Sequence, residues 1–314
     1  MNISHPFSSK PFMPSLDNED QVKTEPFGKD DRSEAERAII IPADSFDATI
    51  ASSIQKEPYI RTGQHSDIGI YRKQNEDVAM SFVSLSGGET PIVPFSISLV
   101  ADGMGGHADG AKASRSVANY ISQNLISRIL VPLMNDSSVT EPVQSIMQRS
   151  VQDANRVIQS NNAEELGGTT LTCGVIIKTR LFLAHVGDSR AYLYNATDEA
   201  MKQITRDHSY VQQLIDSGEI THEEAAVHPR RNLLFKALTG AEVEIDMFTC
   251  SLPQTGTLMI CSDGLWGSIS DSEMQAIIAG KKDSLQQKCE RLVALAIEGG
   301  TTDNISVVLT EFRL

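Results

Sequence analysis

The clearest hairpin in the chain lies between residues 171 and 186, and it constrains the fold more than any other feature. Two apolar runs, residues 171–177 and 181–186, flank the short polar segment Lys178-Thr179-Arg180. A connection this short joins antiparallel strands, because parallel strands need a crossover of a dozen residues or more. The sequence therefore predicts an antiparallel sheet at this point.

Similar short apolar runs recur along the chain, and longer amphipathic segments lie between them. Helices are predicted where apolar residues recur every three to four positions. The other predicted strands are residues 96–100, 191–194, 257–261 and 305–309, and the predicted helices are 111–130, 143–159, 207–215, 270–279 and 284–298. Because short loops join successive strands, we expect an α+β fold in which packed antiparallel sheets are covered by helices.

The first 60 residues differ in composition from the rest of the chain. They hold half of the 12 prolines, and apart from Ile39-Ile40-Ile41 they lack apolar periodicity. Such a segment buries too little apolar surface to offset the entropy of ordering. We expect residues 1–60 to form a flexible acidic arm, or alternatively a short regulatory or docking element, ahead of one domain over 61–314.

The charge balance and the cysteines argue against several classes of function. Acidic residues outnumber basic ones 41 to 27, and the formal charge of −14 disfavours nucleic-acid binding through a basic surface. No apolar run reaches the roughly 20 residues that span a bilayer, and the start of the chain lacks a secretory signal pattern. The four cysteines have neither metal-site nor disulfide spacing. We therefore expect a cytoplasmic protein that does not bind membranes or nucleic acid.

Carboxylates stand at the ends of predicted strands. Asp102 and Asp263 each follow an apolar run, Asp303 comes just before another, and Asp77 closes Asn75-Glu76-Asp77. Each acid alone is explained as a turn former. Four acids aimed at one place, however, would repel one another unless cations lay between them. Because no His or Cys accompanies these acids, the pattern favours magnesium or manganese over zinc.

Two hard cations next to an arginine indicate phosphate ester hydrolysis. Two such ions close together can deprotonate a bridging water at neutral pH. Gly103 has no side chain, so its carbonyl oxygen can come close to a metal ion. Arg72, five residues before Asp77, can clamp a phosphoryl group through two hydrogen bonds, although a surface arginine is more often only solvated.

Six motifs, in a fixed order, carry a resemblance to one enzyme family. They are Arg72-Lys73-Gln74-Asn75-Glu76-Asp77, Ala101-Asp102-Gly103-Met104-Gly105-Gly106-His107, Gly168-Thr169-Thr170, Gly187-Asp188-Ser189-Arg190-Ala191-Tyr192, Ser262-Asp263-Gly264-Leu265-Trp266 and Thr302-Asp303-Asn304-Ile305. In this order they resemble the metal-dependent type 2C serine/threonine protein phosphatases, and residues 205–209 and 228–232 resemble the bacterial branch. The resemblance implies a β-sandwich between helical layers, α-β-β-α, and hydrolysis of phosphoserine and phosphothreonine in proteins.

The resemblance also implies a set of metal ligands. Asp77 would bridge two ions, and Asp102 with the Gly103 carbonyl would hold one of them. Asp263 and Asp303 would complete the other side of the pair. The implied cofactors are two Mn²⁺ or Mg²⁺ ions, whose bridging hydroxide would attack phosphorus directly, without a phosphoenzyme.

Two further residues have catalytic roles by the same resemblance. Glu76 would orient metal-bound water, and Arg72 would grip the substrate phosphate. The implied partners are phosphoproteins and an opposing Ser/Thr kinase, in a signalling role, and we expect a monomer. The alternatives are a catalytically silent module of the same fold that binds phosphoproteins, and a small-molecule phosphatase with the same site.

Four positions depart from the family pattern or leave it open. Met104 stands where many eukaryotic members carry a histidine general acid, and methionine cannot donate a proton. His107 is either a substitute acid or a residue that packs its loop. Glu164 and Glu165 are the nearest candidates for the extra acid that holds a third, weaker ion in bacterial relatives.

The later motifs have mainly structural interpretations. Residues 205–240 correspond to the mobile flap of bacterial relatives, in which Arg230-Arg231 would either meet a phosphopeptide or remain solvated. Asp188 and Arg190 are expected to stabilise their turn. Trp266 is expected to pack beneath its own loop.

Overall fold

The structure, a computed structural model, describes residues 58–86, 93–105, 108–135, 139–161 and 167–314. The predicted arm lies outside the described residues as far as residue 57, whereas Tyr59 and Ile60 already belong to the first strand. His107, Glu164 and Glu165 also lie outside the described residues. Among the residues that are described, no helix is both long enough and apolar enough to cross a membrane.

Antiparallel strands form the centre of the fold. They are β1 (Tyr59–Asp67), β2 (Val78–Ser86), β3 (Val93–Ala101), β4 (Gly103–Met104), β5 (Gly168–Thr169), β6 (Leu171–Ile177), β7 (Arg180–Val186), β8 (Arg190–Asn195), β9 (Ala200–Gln203), β10 (Asp246–Ser251), β11 (Thr255–Cys261) and β12 (Ile305–Arg313). Two five-stranded sheets have the orders β1-β12-β11-β8-β9 and β10-β7-β6-β3-β2, and β4 pairs with β5. The predicted hairpin is confirmed as β6 and β7, which pair from Leu171↔Val186 to Ile177↔Arg180.

Helices connect these strands and cover the sheets. They are α1 (Ala108–Leu125), α2 (Val131–Met134), α3 (Val143–Asn161), α4 (Tyr210–Ser217), α5 (His222–Ala226), α6 (Asp263–Trp266), α7 (Asp271–Ala279) and α8 (Leu285–Glu298). Serine residues cap the N-termini of three helices: Ser209 precedes α4, Ser270 precedes α7 and Ser284 precedes α8. Each side chain accepts a hydrogen bond from a backbone N–H of the first turn. Such caps satisfy donors that have no partner within the helix.

The single helix predicted over residues 111–130 is interrupted. The α-helical pattern of α1 ends at Leu125, a π-helical turn covers Ile126–Leu130, and α2 follows. Pro132 lies in the first turn of α2. In a regular helix its ring would clash with the carbonyl of Arg128, four residues earlier, and the wider π-helical turn avoids that clash.

Three apolar clusters hold the layers together. Side chains from both sheets meet between them, among them Val100, Ile176, Leu258, Ile260 and Val308. The outer face of the β10-to-β2 sheet packs on α1 and α3, and the outer face of the β1-to-β9 sheet packs on α7 and α8. Each large side chain buried in this way contributes about 1.5–3 kcal/mol. The resulting order of layers is α-β-β-α, which confirms the predicted fold class.

Candidate active site

The sheet register brings the predicted strand-end acids to one end of the sandwich. In one sheet the start of β2 pairs with the end of β3, so Asp77, before β2, lies opposite Asp102, after β3. In the other sheet the end of β11 pairs with β12, so Asp263, after β11, lies beside Asp303, before β12. A hydrogen bond of 2.8 Å from Ser262 Oγ to Asp77 Oδ2 joins the two sheets at this end.

The acids at this end are buried close to one another, and burial and then mutual repulsion raise their pKa values. Burial raises the pKa of Asp77 to about 7, and the charges of Asp263 and Asp303 add to the effect. Burial and the charge of Asp303 raise the pKa of Asp263 to about 6. The pKa of Asp102 lies well above its ordinary range, because of burial and then the charges of Asp77 and Asp263. Such an array destabilises the fold unless positive charge lies close by.

We call Asp77, Asp102, Asp263 and Asp303 the acid cluster. Two of its oxygen atoms have no hydrogen-bond partner. They are Asp77 Oδ1 and Asp263 Oδ1, and both are shielded from solvent. Buried acceptors of this kind are costly unless a cation or a donor satisfies them. The donors gathered here are carboxylate oxygen atoms, which suit Mg²⁺ and Mn²⁺. In its chemistry, the cluster fits the divalent cations that the sequence predicts.

The carboxylates alone do not enclose an ion. In the described part of the chain, no three His, Cys, Asp or Glu side chains are grouped closely enough to hold a metal. Mg²⁺ in particular usually keeps several water ligands, and carbonyl oxygens also suit hard ions. A cation at this end would therefore need water and backbone carbonyl oxygens in addition to the acids.

Gly103 is fixed by packing, independently of the role predicted for its carbonyl. Its N–H donates to the Glu76 carbonyl at 3.2 Å, and it pairs with Thr169 in the β4–β5 ladder. A Cβ atom at this position would lie 2.4 Å from the Gly110 carbonyl oxygen and 2.6 Å from that of Glu76. Only glycine fits here, whether or not the carbonyl binds a metal.

Arg72 lies at the edge of the acid cluster and pairs with one of its members. Its Nη2 donates to Asp303 Oδ2 at 2.5 Å, and the arginine side chain remains 48% exposed. A guanidinium held in this way can exchange a carboxylate for a phosphate oxygen, since both present the same paired acceptors. The structure thus brings Arg72 to the acids, and it adds a pairing with a predicted metal ligand that the sequence does not indicate.

Glu76 is buried beside the first turn of α1. Its Oε2 atom lies close to Gly110, since a Cβ atom added at Gly110 would be only 2.6 Å from this oxygen. Its backbone N–H donates to Asn304 Oδ1 at 2.9 Å, and its carbonyl accepts from Ser114 Oγ at 2.5 Å. These bonds fix the backbone next to Asp77, and the predicted role in orienting water stays a prediction.

A fifth acid, Asp188, lies near the acid cluster, although the sequence predicts only a turn role for it. Its pKa is raised well above the ordinary range by burial and then by the charges of Asp263 and Asp207. Asp188 follows the last residue of β7 by two positions, so the strand-end pattern that identifies Asp102 also applies to it. The position of Asp188 after a strand is therefore the feature of the sequence that could have identified it as a candidate site residue.

Arg190 links the turn after β7 to two segments beside the site. Its guanidinium donates to Asp207 through Nε at 3.0 Å and through Nη2 at 2.8 Å, while Nη1 donates to Tyr192 Oη at 3.2 Å. It also lies 3.5 Å from the centre of the Trp266 ring, and Trp266 Nε1 donates to the Asp188 carbonyl at 3.0 Å. Because Trp266 ends α6, Arg190 ties this helix to the segment that leads into α4.

Removing the Arg190 side chain is expected to lower the free energy of unfolding by roughly 3–5 kcal/mol, because Asp207 would remain buried without its charged partner. Urea denaturation of Arg190→Ala measures this loss. The double variant Arg190→Ala/Asp207→Asn should recover part of it. As a control, Arg291→Ala removes an exposed ion pair with Asp283 and should cost no more than about 1 kcal/mol. Equal losses in the two single variants would contradict the account.

The chain as a whole has relatives among known proteins. The family model of protein phosphatase 2C matches residues 68–214. The serine/threonine phosphatase stp of Listeria innocua is 34% identical over 254 residues, which cover 79% of this chain and 94% of the Listeria protein. The chain belongs to the protein phosphatase 2C family. It is a serine/threonine phosphatase, and its resemblance to the bacterial type 2C enzymes is confirmed.

Type 2C phosphatases of known structure share the fold. The crystal structure of the Mycobacterium tuberculosis phosphatase PstP has a TM-score of 0.67 and 32% identity, covering 81% of this chain and 99% of that one. A structure of the PstP catalytic domain in complex with two manganese ions has a TM-score of 0.65 and 31% identity, with the same coverage. In sequence, the match spans 45% of M. tuberculosis PstP.

Proposed function

We propose that this type 2C phosphatase uses two divalent cations, manganese or magnesium, to hydrolyse phosphoserine and phosphothreonine in proteins. The observation that carries the proposal is the cluster of strand-end acids with two buried oxygen atoms that lack a partner. The similar PstP catalytic domain forms a complex with two manganese ions. The acid cluster needs positive charge, and a relative binds manganese ions. Both observations support divalent cations as the cofactor of this protein.

The proposed metal ligands are the strand-end groups Asp77, Asp102, Asp263 and Asp303 and the carbonyl oxygen of Gly103. When bound, the two cations would neutralise these carboxylates and lower the pKa of a water molecule, which would supply hydroxide for the attack on phosphorus. The contribution of the chain is to hold the donors at the ends of paired strands. The Ser262 hydroxyl adds to this by fixing the Asp77 carboxylate.

Asp77 and Asp102 would both hold the cations, and their surroundings support this. Ser262 Oγ donates to one oxygen of Asp77, which leaves that carboxylate a single oxygen without a protein partner. The pKa of Asp102 is raised by burial and by four neighbouring carboxylates, with Asp77 and Asp263 foremost. Both acids would therefore lie in negative surroundings that a bound cation relieves, and each is proposed as a ligand.

A hydroxyl and a thiol next to Asp263, those of Ser262 and Cys261, are poorly placed to form a covalent intermediate, which supports direct hydrolysis. Ser262 is fully buried and donates its hydroxyl hydrogen to Asp77. Cys261 is also fully buried in β11, and burial raises the pKa of its thiol. Neither side chain can reach a phosphoryl group from the interior. We therefore assign the attack to hydroxide, without a phosphoenzyme.

Arg72 is proposed to bind the substrate phosphate and Glu76 to orient the attacking water. A bidentate contact from the Arg72 guanidinium to phosphate would replace its present contact with Asp303. Met104 cannot protonate the leaving alkoxide, so that proton must come from water or another side chain. An opposing kinase, a signalling role, a third ion, a monomeric state and a cytoplasmic location stay predictions.

Peptide hydrolysis tests the proposed function. With Mn²⁺, the protein should release phosphate from phosphoserine and phosphothreonine peptides, and it should hydrolyse small phosphorylated metabolites far more slowly. Tight phosphopeptide binding without turnover under any divalent metal would identify the silent module instead. Faster turnover of metabolites than of peptides would identify a small-molecule phosphatase.

A further inference from the structure

We infer that residues 68–71 bind an apolar side chain of the substrate polypeptide, close to the phosphorylated residue. This inference rests on the proposed function, because it assigns part of the substrate at the same site. Ile68, Ile70 and Tyr71, which we call the rim patch, are 37%, 63% and 68% exposed. Single exposed apolar residues are common on protein surfaces. Three among four consecutive residues form a patch of the kind that partners cover.

The exposure of the rim patch does not come from a loose loop. Gly69 has a left-handed φ of 72°, and a Cβ atom there would lie 2.4 Å from the Asp303 carbonyl oxygen. Asn304 Nδ2 donates to the Ile68 carbonyl at 2.9 Å and to the Gln74 carbonyl at 3.1 Å. The loop is therefore packed and hydrogen-bonded on the residues that lead into β12. A backbone held in a fixed position loses little entropy when a ligand covers the side chains that it carries.

The rim patch is continuous with the residue proposed to hold the phosphate. Tyr71 directly precedes Arg72, whose guanidinium contacts Asp303 at the acid cluster. Consecutive Cα atoms are about 3.8 Å apart, and an extended peptide advances about 3.3–3.6 Å per residue. A substrate whose phosphate lies at Arg72 therefore carries side chains one to three residues away across the patch.

The occupant that fits is a peptide segment with a large aliphatic or aromatic side chain. Such a side chain would cover Ile70 and the Tyr71 ring while the phosphate of the same peptide pairs with Arg72. A lipid surface fits less well, because cytoplasmic leaflets are anionic and the chain has a formal charge of −14. The partner is therefore the phosphoprotein substrate itself. The rim patch recognises the apolar residues next to the phosphorylated one.

Two matched phosphothreonine peptides test this inference, one with Leu and Phe beside the phosphorylated residue and one with Ser and Gly. The wild type should hydrolyse the apolar peptide with a kcat/KM roughly tenfold higher. Ile70→Ser/Tyr71→Ser should abolish this preference and leave kcat/KM for p-nitrophenyl phosphate unchanged, because that small substrate does not reach the patch. Tyr71→Phe should keep the preference.

Met134→Ser is the matched control, since Met134 on α2 is 60% exposed and has no part in the site. It should behave as the wild type with all three substrates. The inference is overturned if the double variant keeps the peptide preference, or if it loses p-nitrophenyl phosphate hydrolysis in parallel. Co-sedimentation of the protein with phosphatidylserine vesicles is a second measurement. The inference is also overturned if the double variant loses this co-sedimentation and nothing else, because the patch would then bind lipid. A wild type that turns over none of these substrates with Mn²⁺ would count against the proposed function instead.

Discussion

Asp263→Asn is expected to lower kcat/KM for a phosphothreonine peptide by roughly 10³-fold, since bound cations supply several kcal/mol of transition-state stabilisation. Asp263 stands at the end of β11, and one of its oxygen atoms is buried without a partner. An amide at this position keeps the shape of the side chain and removes its charge. The proposed cations would then lose a ligand and part of the negative charge that attracts them.

Steady-state kinetics over a range of Mn²⁺ concentrations measure this effect. Asp271→Asn makes the same chemical change at an exposed acid in the first turn of α7, and it should retain near wild-type activity. Excess Mn²⁺ should not restore Asp263→Asn fully. A variant that keeps more than a tenth of the wild-type kcat/KM would contradict the assignment of this residue.

Metal removal is expected to make stability fall as the pH rises. The pKa of Asp77 is raised to about 7 and that of Asp263 to about 6, so the folded state binds these protons more tightly than the unfolded chain does. The stability contributed by a raised pKa is complete below the unfolded value, near 4, and is lost as the pH passes the folded value. In EDTA, the free energy of unfolding should therefore fall by on the order of 3 kcal/mol between pH 5 and pH 8.

Urea denaturation at several pH values, in EDTA and in Mn²⁺, measures this dependence. Mn²⁺ should abolish the fall, because bound cations replace the protons that keep the acids neutral. Asp263→Asn in EDTA should show a smaller fall than the wild type, since it has one repelling charge fewer. A flat or rising profile for the metal-free wild type between pH 5 and pH 8 would contradict the electrostatic account.

Strands with strong local patterns were predictable from the sequence, and strands stabilised by distant partners were not. The hairpin of β6 and β7 has two apolar runs and a tight turn within 16 residues, so its pairing is local. In β1, by contrast, polar residues outnumber apolar ones, and its register depends on β12, more than 230 positions later. Pairing over such a distance leaves no local periodicity in the sequence.

The candidate site shows the same division. The strand-end position of Asp102 and Asp263 is visible in the sequence, because each follows an apolar run. The contact between Arg72 and Asp303 depends on how two distant loops pack, and only the structure shows it. Asp188 follows the visible pattern, yet a residue of this type after glycine is also a common turn former. Only the fold therefore shows that Asp188 lies close to the other acids.

Hydrolysis of a phosphothreonine peptide before and after metal removal tests the central claim most directly. We predict no turnover above background in EDTA, and recovery when Mn²⁺ replaces the chelator, with about two ions bound per chain at saturation. Full turnover in EDTA would contradict the proposal that divalent cations at the strand-end acids carry the reaction.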